Sequence, residues 1–405
     1  MTSRRPSFWI ILALWGWTSA ATLLAIVVGP DLRPTPELES LRFNPNFPWE
    51  QCCAHDGHHY RRIVTRGYEW NRAPYTRDDL TSVVFFPAYP LIARWLHSLT
   101  QLPPIASLML VSNLSCLAAA WVWSGYVAAR SGDDNKGVAF EATLWLLLSP
   151  MSLFFRICYS ESLFVLLLAV WLYGAQRRWS FGALAILAGA ASGTRSVGIV
   201  LLPVFVWHLW QSTENRREFL RALLWIPVAV WGLLAYMAYL AVTFHDPVAF
   251  AHGQSEWVFK PLSWGNKLRE LVTFEPIWGC YVAPSRHFWA GLRPGVTHWN
   301  SLDFWNPVYF VVALGLLVGG GVKRWLNTTE IALGSLLLLF PYVMIGAENS
   351  MQSQARFTIV NLPLYLVLAR WTAVQPHWLR IFLFLGLGGL LAWVSILFGT
   401  NGCVF

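Results

Sequence analysis

FWIILALWGWTSAATLLAIVVG, residues 8–29, contains no charged side chain. Crossing about 30 Å of hydrocarbon takes roughly 20 such residues in a helix. A cleaved signal peptide would have a shorter apolar core and a small-residue cleavage site. This run is too long and too rich in Trp, so it reads as a retained first transmembrane helix. Runs of the same kind recur near 106–128, 138–149, 160–174, 181–193, 197–210, 221–243, 305–322, 331–346, 357–373 and 380–398. About eleven spans result. Several in the middle are too short to cross alone and are expected to be tilted, broken or partly re-entrant, their polar backbone covered by protein.

Composition agrees with that reading. The 405 residues are 56% hydrophobic and only 12% charged, against about 25% charged in a soluble chain. The expected fold is an all-α polytopic membrane bundle forming one domain over 1–405. A net charge of +8 could point to nucleic acid, but the basic residues do not cluster as a binding patch requires. They fall in short pairs at helix ends, and Trp and Tyr gather near the ends of the apolar runs, as in an interfacial belt.

The short loops set the direction. With Arg4 and Arg5 inside, the inside turns hold Arg130 and Lys136, Arg177 and Arg178, then Arg216, Arg217 and Arg221, then Lys323 and Arg324. The positive-inside rule is met at each. Two long loops, 30–105 and 244–304, and short turns near 150–160, 194–196 and 347–356 then face the periplasm, the exterior or an organelle lumen. ATP and nucleotide sugars are cytoplasmic, so chemistry on that face needs a membrane-carried donor.

Polar groups set into apolar sequence are costly and mark function. AHDGHHYRRIVTRGYEW (54–70) is the densest such group. SPMSLFFRICYSES (149–162), ASGTRS (191–196), FHDPVAFAHGQSEW (244–257) and ENSMQSQARF (348–357) are the others. All five fall on the outward side, which a single site would require; a merely polar lid would look the same. Asp56 is the candidate catalytic carboxylate, or else a partner of neighbouring arginines. His58 and His59 are candidate donors to a phosphate or a sugar. HDGHH does not match the H-E-x-x-H pattern of a helical zinc site, and no metal is expected. Arg61 and Arg62 read as phosphate partners or lipid-headgroup anchors. Arg195 needs an anion, either substrate or Glu161. Tyr159, Gln254, Trp257, Gln352 and Arg356 complete the candidate substrate contacts, although Trp257 and Trp299 are as well explained as interfacial anchors. Cys52, Cys53, Cys116, Cys158, Cys280 and Cys403 form no CxxC pair, so no zinc site is implied. On an oxidising face Cys52 or Cys53 could bridge to Cys280 or Cys403.

Taken in order, the acidic motif before a GY, then FFPAYPLIARW (85–95), SNLSCLAAAWVWSGYVAAR (112–130), SPMSLFFRICYSESLFVLLLAVWLYGAQRRW (149–179), GTRSVGIVLLP (193–203), FHDPVAFAHGQSEW and the late QARFTIVNLPLYLVLAR (354–370) resemble the PIG-V type mannosyltransferases. That family includes the GPI mannosyltransferase that adds the second mannose, and bacterial relatives, to which the compact length leans. The resemblance covers about 50–260. It implies a GT-C bundle whose first outer loop carries the catalytic acid, with mannose moved from a polyprenyl or dolichyl phosphate, with inversion, to a lipid- or polymer-linked glycan acceptor. Asp56 matches the family acid, and His55 stands where the family has Trp.

The chemistry is coherent with the residues. Displacing a lipid phosphate needs a base for the acceptor hydroxyl, a role worth about 10²–10⁴-fold in rate, and cations for the departing phosphate. Asp56 would be the base, with Arg195, Arg61 and Arg356 on the phosphate. Direct inversion needs one essential carboxylate, so Glu161 reads as an orienting partner for Arg156 or Arg195. A donor carrying its own leaving group needs no further cofactor. Two other classes stay open: a transporter or flippase for a lipid-linked saccharide, and a catalytically inactive subunit.

Overall fold

The protein is seen in a computed structural model that describes residues 5–32, 48–70, 81–131, 137–255, 258, 261–289 and 301–400. Among the described residues it is all-helical, without strands. The long elements are α1 (Phe8–Leu32), α2 (Asp56–Arg66), α3 (Ala88–Thr100), α4 (Pro104–Ser131), α5 (Val138–Leu148), α6 (Glu161–Gln176), α7 (Phe181–Ser192) and α8 (Leu201–Ser212). They continue with α9 (Arg216–Ala229), α10 (Trp231–Phe244), α11 (Leu302–Val322), α12 (Thr328–Pro341), α13 (Leu362–Ala373) and α14 (His377–Gly399).

Each apolar run read from the sequence is largely helical, with 357–373 interrupted at 359–361 between Gln354–Thr358 and α13. Five helices are long and apolar enough to cross a membrane singly: α1, α4, α11, α14, and α12 extended to Gly346. α9 and α10 together are apolar and long enough to count as a sixth if they act as one broken span, with a 43° bend between them. The apolar helices α5, α6, α7 and Ser196–Ser212 are shorter. By length and composition five or six of the roughly eleven apolar runs can cross a membrane, and the short middle helices are those expected not to cross alone.

The breaks have local causes. Pro150 opens a 3₁₀ turn over Pro150–Phe155 between α5 and α6, and Pro341 precedes a π-helical turn at Tyr342–Gly346. Proline removes a backbone donor and clashes with the preceding turn, so the α-helical ladder changes register there.

Helices α4, α5, α6 and α13 pack around one core, with Trp123 and Trp171 wholly buried. α1 closes against α14. A Cβ added to Gly399 would sit 2.1 Å from the Ile26 carbonyl oxygen, so only glycine allows that approach, as small residues do at lipid-embedded crossings. The outward faces stay apolar: Trp17, Leu24, Val242, Val318, Phe382 and Leu385 are exposed. An apolar belt of this extent fits hydrocarbon rather than water.

The two ends of the bundle carry different ion pairs. At one end Tyr126 and Arg130 bond Glu330, Arg380 pairs with Glu141, and Arg5 stacks on Trp121. These are the turns whose basic residues mark the inside in the sequence. The described parts of the first and second long loops carry acidic and basic groups described next.

Candidate active site

α2 forms because its sequence is amphipathic at helical spacing. Gly57, Tyr60, Ile63 and Val64 are buried on one face, and a second apolar cluster seats them with Phe85, Tyr89 and Cys158. Asp56 is the first residue of α2, where the helix N-terminus favours a negative charge. The residue before it, His55, has φ 53° and ψ −122°, a region costly for any residue but glycine. Its ring packs edge-on against Phe398.

Asp56 meets an arginine from the far end of the chain. Arg356, in the short helix Gln354–Thr358, donates Nη1 to Asp56 Oδ2 at 2.5 Å and Nε to Glu161 Oε1. Glu161, the first residue of α6, is wholly buried. Arg195 Nη1 reaches the same Glu161 oxygen at 2.6 Å and Ser160 Oγ at 3.1 Å. Ser160 in turn bonds the Tyr60 hydroxyl at 2.9 Å. The result is a chain of alternating charge, Asp56–Arg356–Glu161–Arg195, assembled from four segments. Glu161 Oε2 is buried without a hydrogen-bond partner among the described residues, which leaves an acceptor for a hydroxyl or a water.

Tyr159 supports this chain from beneath. Its ring lies 4.5 Å from the Arg356 guanidinium carbon, and Phe154 adds a second ring at 5.3 Å. The Tyr159 hydroxyl donates to the Ala54 carbonyl at 3.1 Å. Arg356 is therefore held by two carboxylates and two rings, while the Asp56 side chain keeps 24% of its surface exposed. Burial opposes the ionisation of Asp56, but the charge and hydrogen bond of Arg356, helped by His59 and His55, hold its carboxyl below the usual range. His59 lies flat on Phe85, ring centroids 4.9 Å apart. Burial pushes its pKa down to about 4 against the pull of Asp56, so it is neutral at pH 7 and brings no charge to a phosphate.

The other sequence candidates fall elsewhere. Arg61 pairs with Glu50 at 3.1 Å and Arg62 with Glu69, so both are neutralised within the first loop and are not turned to the acid–arginine chain. His58 is exposed on the outer face of α2. Tyr159 is wholly buried with its hydroxyl engaged, which makes it a support rather than a surface for substrate. Arg156 does not meet Glu161. It is fully buried and donates to Ser152, Leu147 and Thr18 across the 3₁₀ turn. Gln254 is exposed at the end of the short helix Ala249–Gln254, whose Gly253 faces Thr81, Val83 and Val84. Asp246 closes that segment locally through Val248 N and His252 Nδ1. Gln352 is half-buried in the turn leading to Arg356, and Glu348 pairs with Lys267. Trp257, Trp299 and Cys403 lie outside the described residues. Cys52 and Cys53 are free thiols, so neither bridges to Cys280, whose thiol donates to the Asp303 carbonyl.

Sequence reading missed Tyr60 and Ser160. Tyr60 stands four residues after Asp56 in α2, hence on the same side of the helix, and that spacing was the available signal. It also missed the bridge of buried His287 between Glu270 Oε2 (3.0 Å) and Ser350 Oγ (2.9 Å). Together with Lys267–Glu348 this pins the second loop onto the turn before Arg356, a contact that no local pattern announces.

Compared with protein-family models and with curated proteins, the chain matches none.

Proposed function

We propose that the chain is an inverting glycosyltransferase. It would move a sugar, mannose by resemblance, from a polyprenyl-phosphate carrier to an acceptor hydroxyl on the non-cytoplasmic face. The observation that carries this reading is the ion pair between Asp56 and Arg356, with Glu161 and Arg195 directly behind it. Both chemical needs of the reaction, a base at a partly open edge and cations for a phosphate, stand in one connected group.

The pairing has a mechanistic use. Arg356 keeps Asp56 a weak base. A donor phosphate drawing on Arg356 and Arg195 loosens the hold on Asp56, so the carboxylate gains basicity when the leaving group is in place. Asp56 then takes the proton of the acceptor hydroxyl as its oxygen attacks the anomeric carbon. The sugar–phosphate bond breaks on the opposite face, and the arginines stabilise the charge left on the polyprenyl phosphate. Glu161 remains their orienting counter-charge.

The test uses membranes containing the full-length protein, supplied with radiolabelled polyprenyl-phosphate mannose and a lipid extract as acceptor. Asp56→Asn should abolish label transfer while retaining donor binding. Undiminished transfer by Asp56→Asn would sink the base assignment. Label that crosses the membrane but stays on its carrier would favour a transporter instead.

A further inference from the structure

We infer that Cys53 and Cys158, both free thiols in the structure, are oxidised to a disulfide that staples the start of the first-loop helix to the start of α6. Cys158 N donates to the Cys52 carbonyl at 3.0 Å, which lays the backbone next to Cys53 against that of Cys158; a disulfide needs their Cα atoms about 4.4–6.8 Å apart. Cys53 Sγ also lies 3.5 Å from the Gly57 carbonyl, and a Cβ added at Gly57 would sit 3.3 Å from Cys158 Cβ. Gly57 thus allows the start of α2, just after Cys53, to lie close against Cys158.

The geometry selects the pair. Cys52 and Cys53 are adjacent but face opposite ways: Cys52 enters the main core, whereas Cys53 and Cys158 share the smaller cluster under α2. Asp56 follows Cys53 by three residues and Glu161 follows Cys158 by three. A bond here would hold the two carboxylates that share Arg356 at a set spacing, although their segments are far apart in the chain.

The chemistry needs an oxidant, and a disulfide-bearing one, a protein disulfide or an oxidised small thiol of a secretory or periplasmic compartment, supplies it. The Cys53 thiolate attacks one sulfur of that disulfide and releases a thiol. The Cys158 thiolate then attacks the Cys53 sulfur, forming the bridge and releasing the second thiol. Two electrons pass to the oxidant, and the two protons end on its thiols. Cys158 is 0% and Cys53 3% exposed, and burial pushes the Cys158 thiol up. Exchange therefore takes place while the first loop is still open, and the finished bond is shielded from reductant.

The inference shares with the proposed function only the outward placing of this face. The test is differential alkylation of the full-length protein taken from membranes, denatured without reductant and mapped by mass spectrometry. Cys53 and Cys158 should be unreactive, and both should become reactive after reduction. In Cys53→Ser, Cys158 should be released; in Cys52→Ser it should stay protected. Reactive Cys53 and Cys158 in the unreduced wild type, or a Cys158 that stays protected in Cys53→Ser, overturns the staple. Sugar transfer assayed on the same membranes separates the two proposals. Free thiols with transfer intact remove the staple alone, and protected thiols without transfer remove the enzyme reading alone.

Discussion

Arg356 Nη1 lies 2.5 Å from Asp56 Oδ2, joining residues 300 positions apart. Arg356 also donates Nε to Glu161, so one guanidinium ties the first loop, α6 and the C-terminal third together. Arginine's planar fork suits this two-acid grip and lysine's single ammonium does not. Arg356→Lys should therefore retain the fold but lose one of the two contacts. A fall in sugar transfer of about 10-fold or more, with little change in melting temperature, is the expected pattern; equal activity would detach Arg356 from the site.

Glu161 holds two arginines on one buried oxygen. Removing one partner of a buried ion pair costs about 3–5 kcal/mol because the remaining charge is stranded. Glu161→Ala should lower stability by that order in denaturant titration of the detergent-solubilised protein. Glu161→Ala combined with Arg195→Ala should cost less than the sum of the single changes.

Tyr159→Phe keeps the ring beneath Arg356 and deletes the hydroxyl that serves the Ala54 carbonyl. A buried acceptor left unpaired costs about 1–3 kcal/mol. The effect on transfer should fall on kcat, since Ala54 stands two residues before Asp56 and sets its place. A change confined to KM would contradict that assignment.

His55 is held at φ 53°, a strain of about 1–3 kcal/mol for a non-glycine residue. Glycine relieves it at an entropic cost of about 0.5–1 kcal/mol. His55→Gly should melt no lower than wild type, whereas His55→Ala, which keeps the strain and loses the Phe398 contact, should melt lower.

The acid limb of stability should show His59. Its pKa is about 4 in the fold and about 6.5 in an unfolded chain. The unfolded state therefore takes up the proton first, and the stability from keeping His59 neutral is complete above pH 6.5 and declines as pH falls towards 4. Asp56, with its pKa lowered, contributes in a separate window. That stability is present above about 3.9, the unfolded carboxyl value, and is lost as pH drops through the lower folded value. Melting temperatures at pH 7 and pH 5 should differ less in His59→Phe than in wild type.

How much of this was legible in the chain differs from feature to feature. The helices were, because hydropathy and periodicity are local properties, and the apolar runs became largely helical. Their lengths were not, since Pro150 and Pro341 change the helix type at points where neighbouring segments decide how the chain continues. Asp56 stood out because a carboxylate among three histidines is conspicuous between apolar runs. The resemblance to mannosyltransferases added a role to it, which the transfer assay will decide.

What the sequence by itself determined is the all-helical apolar class, the basic ends and the small set of polar segments that contain the site. Tertiary structure alone decided which charges meet. Arg61 and Arg62 found acids 11 and 7 residues away, Glu50 and Glu69, and so were satisfied within their own loop. Arg195 has no acid so near in sequence, and the one nearest Arg356, Glu348, pairs with Lys267 instead; helix packing carried both arginines to Glu161 and Arg356 also to Asp56. A buried arginine must find an anion, but composition does not say which one. That choice follows from where α6, α7 and the short helix before α13 come to rest against α2.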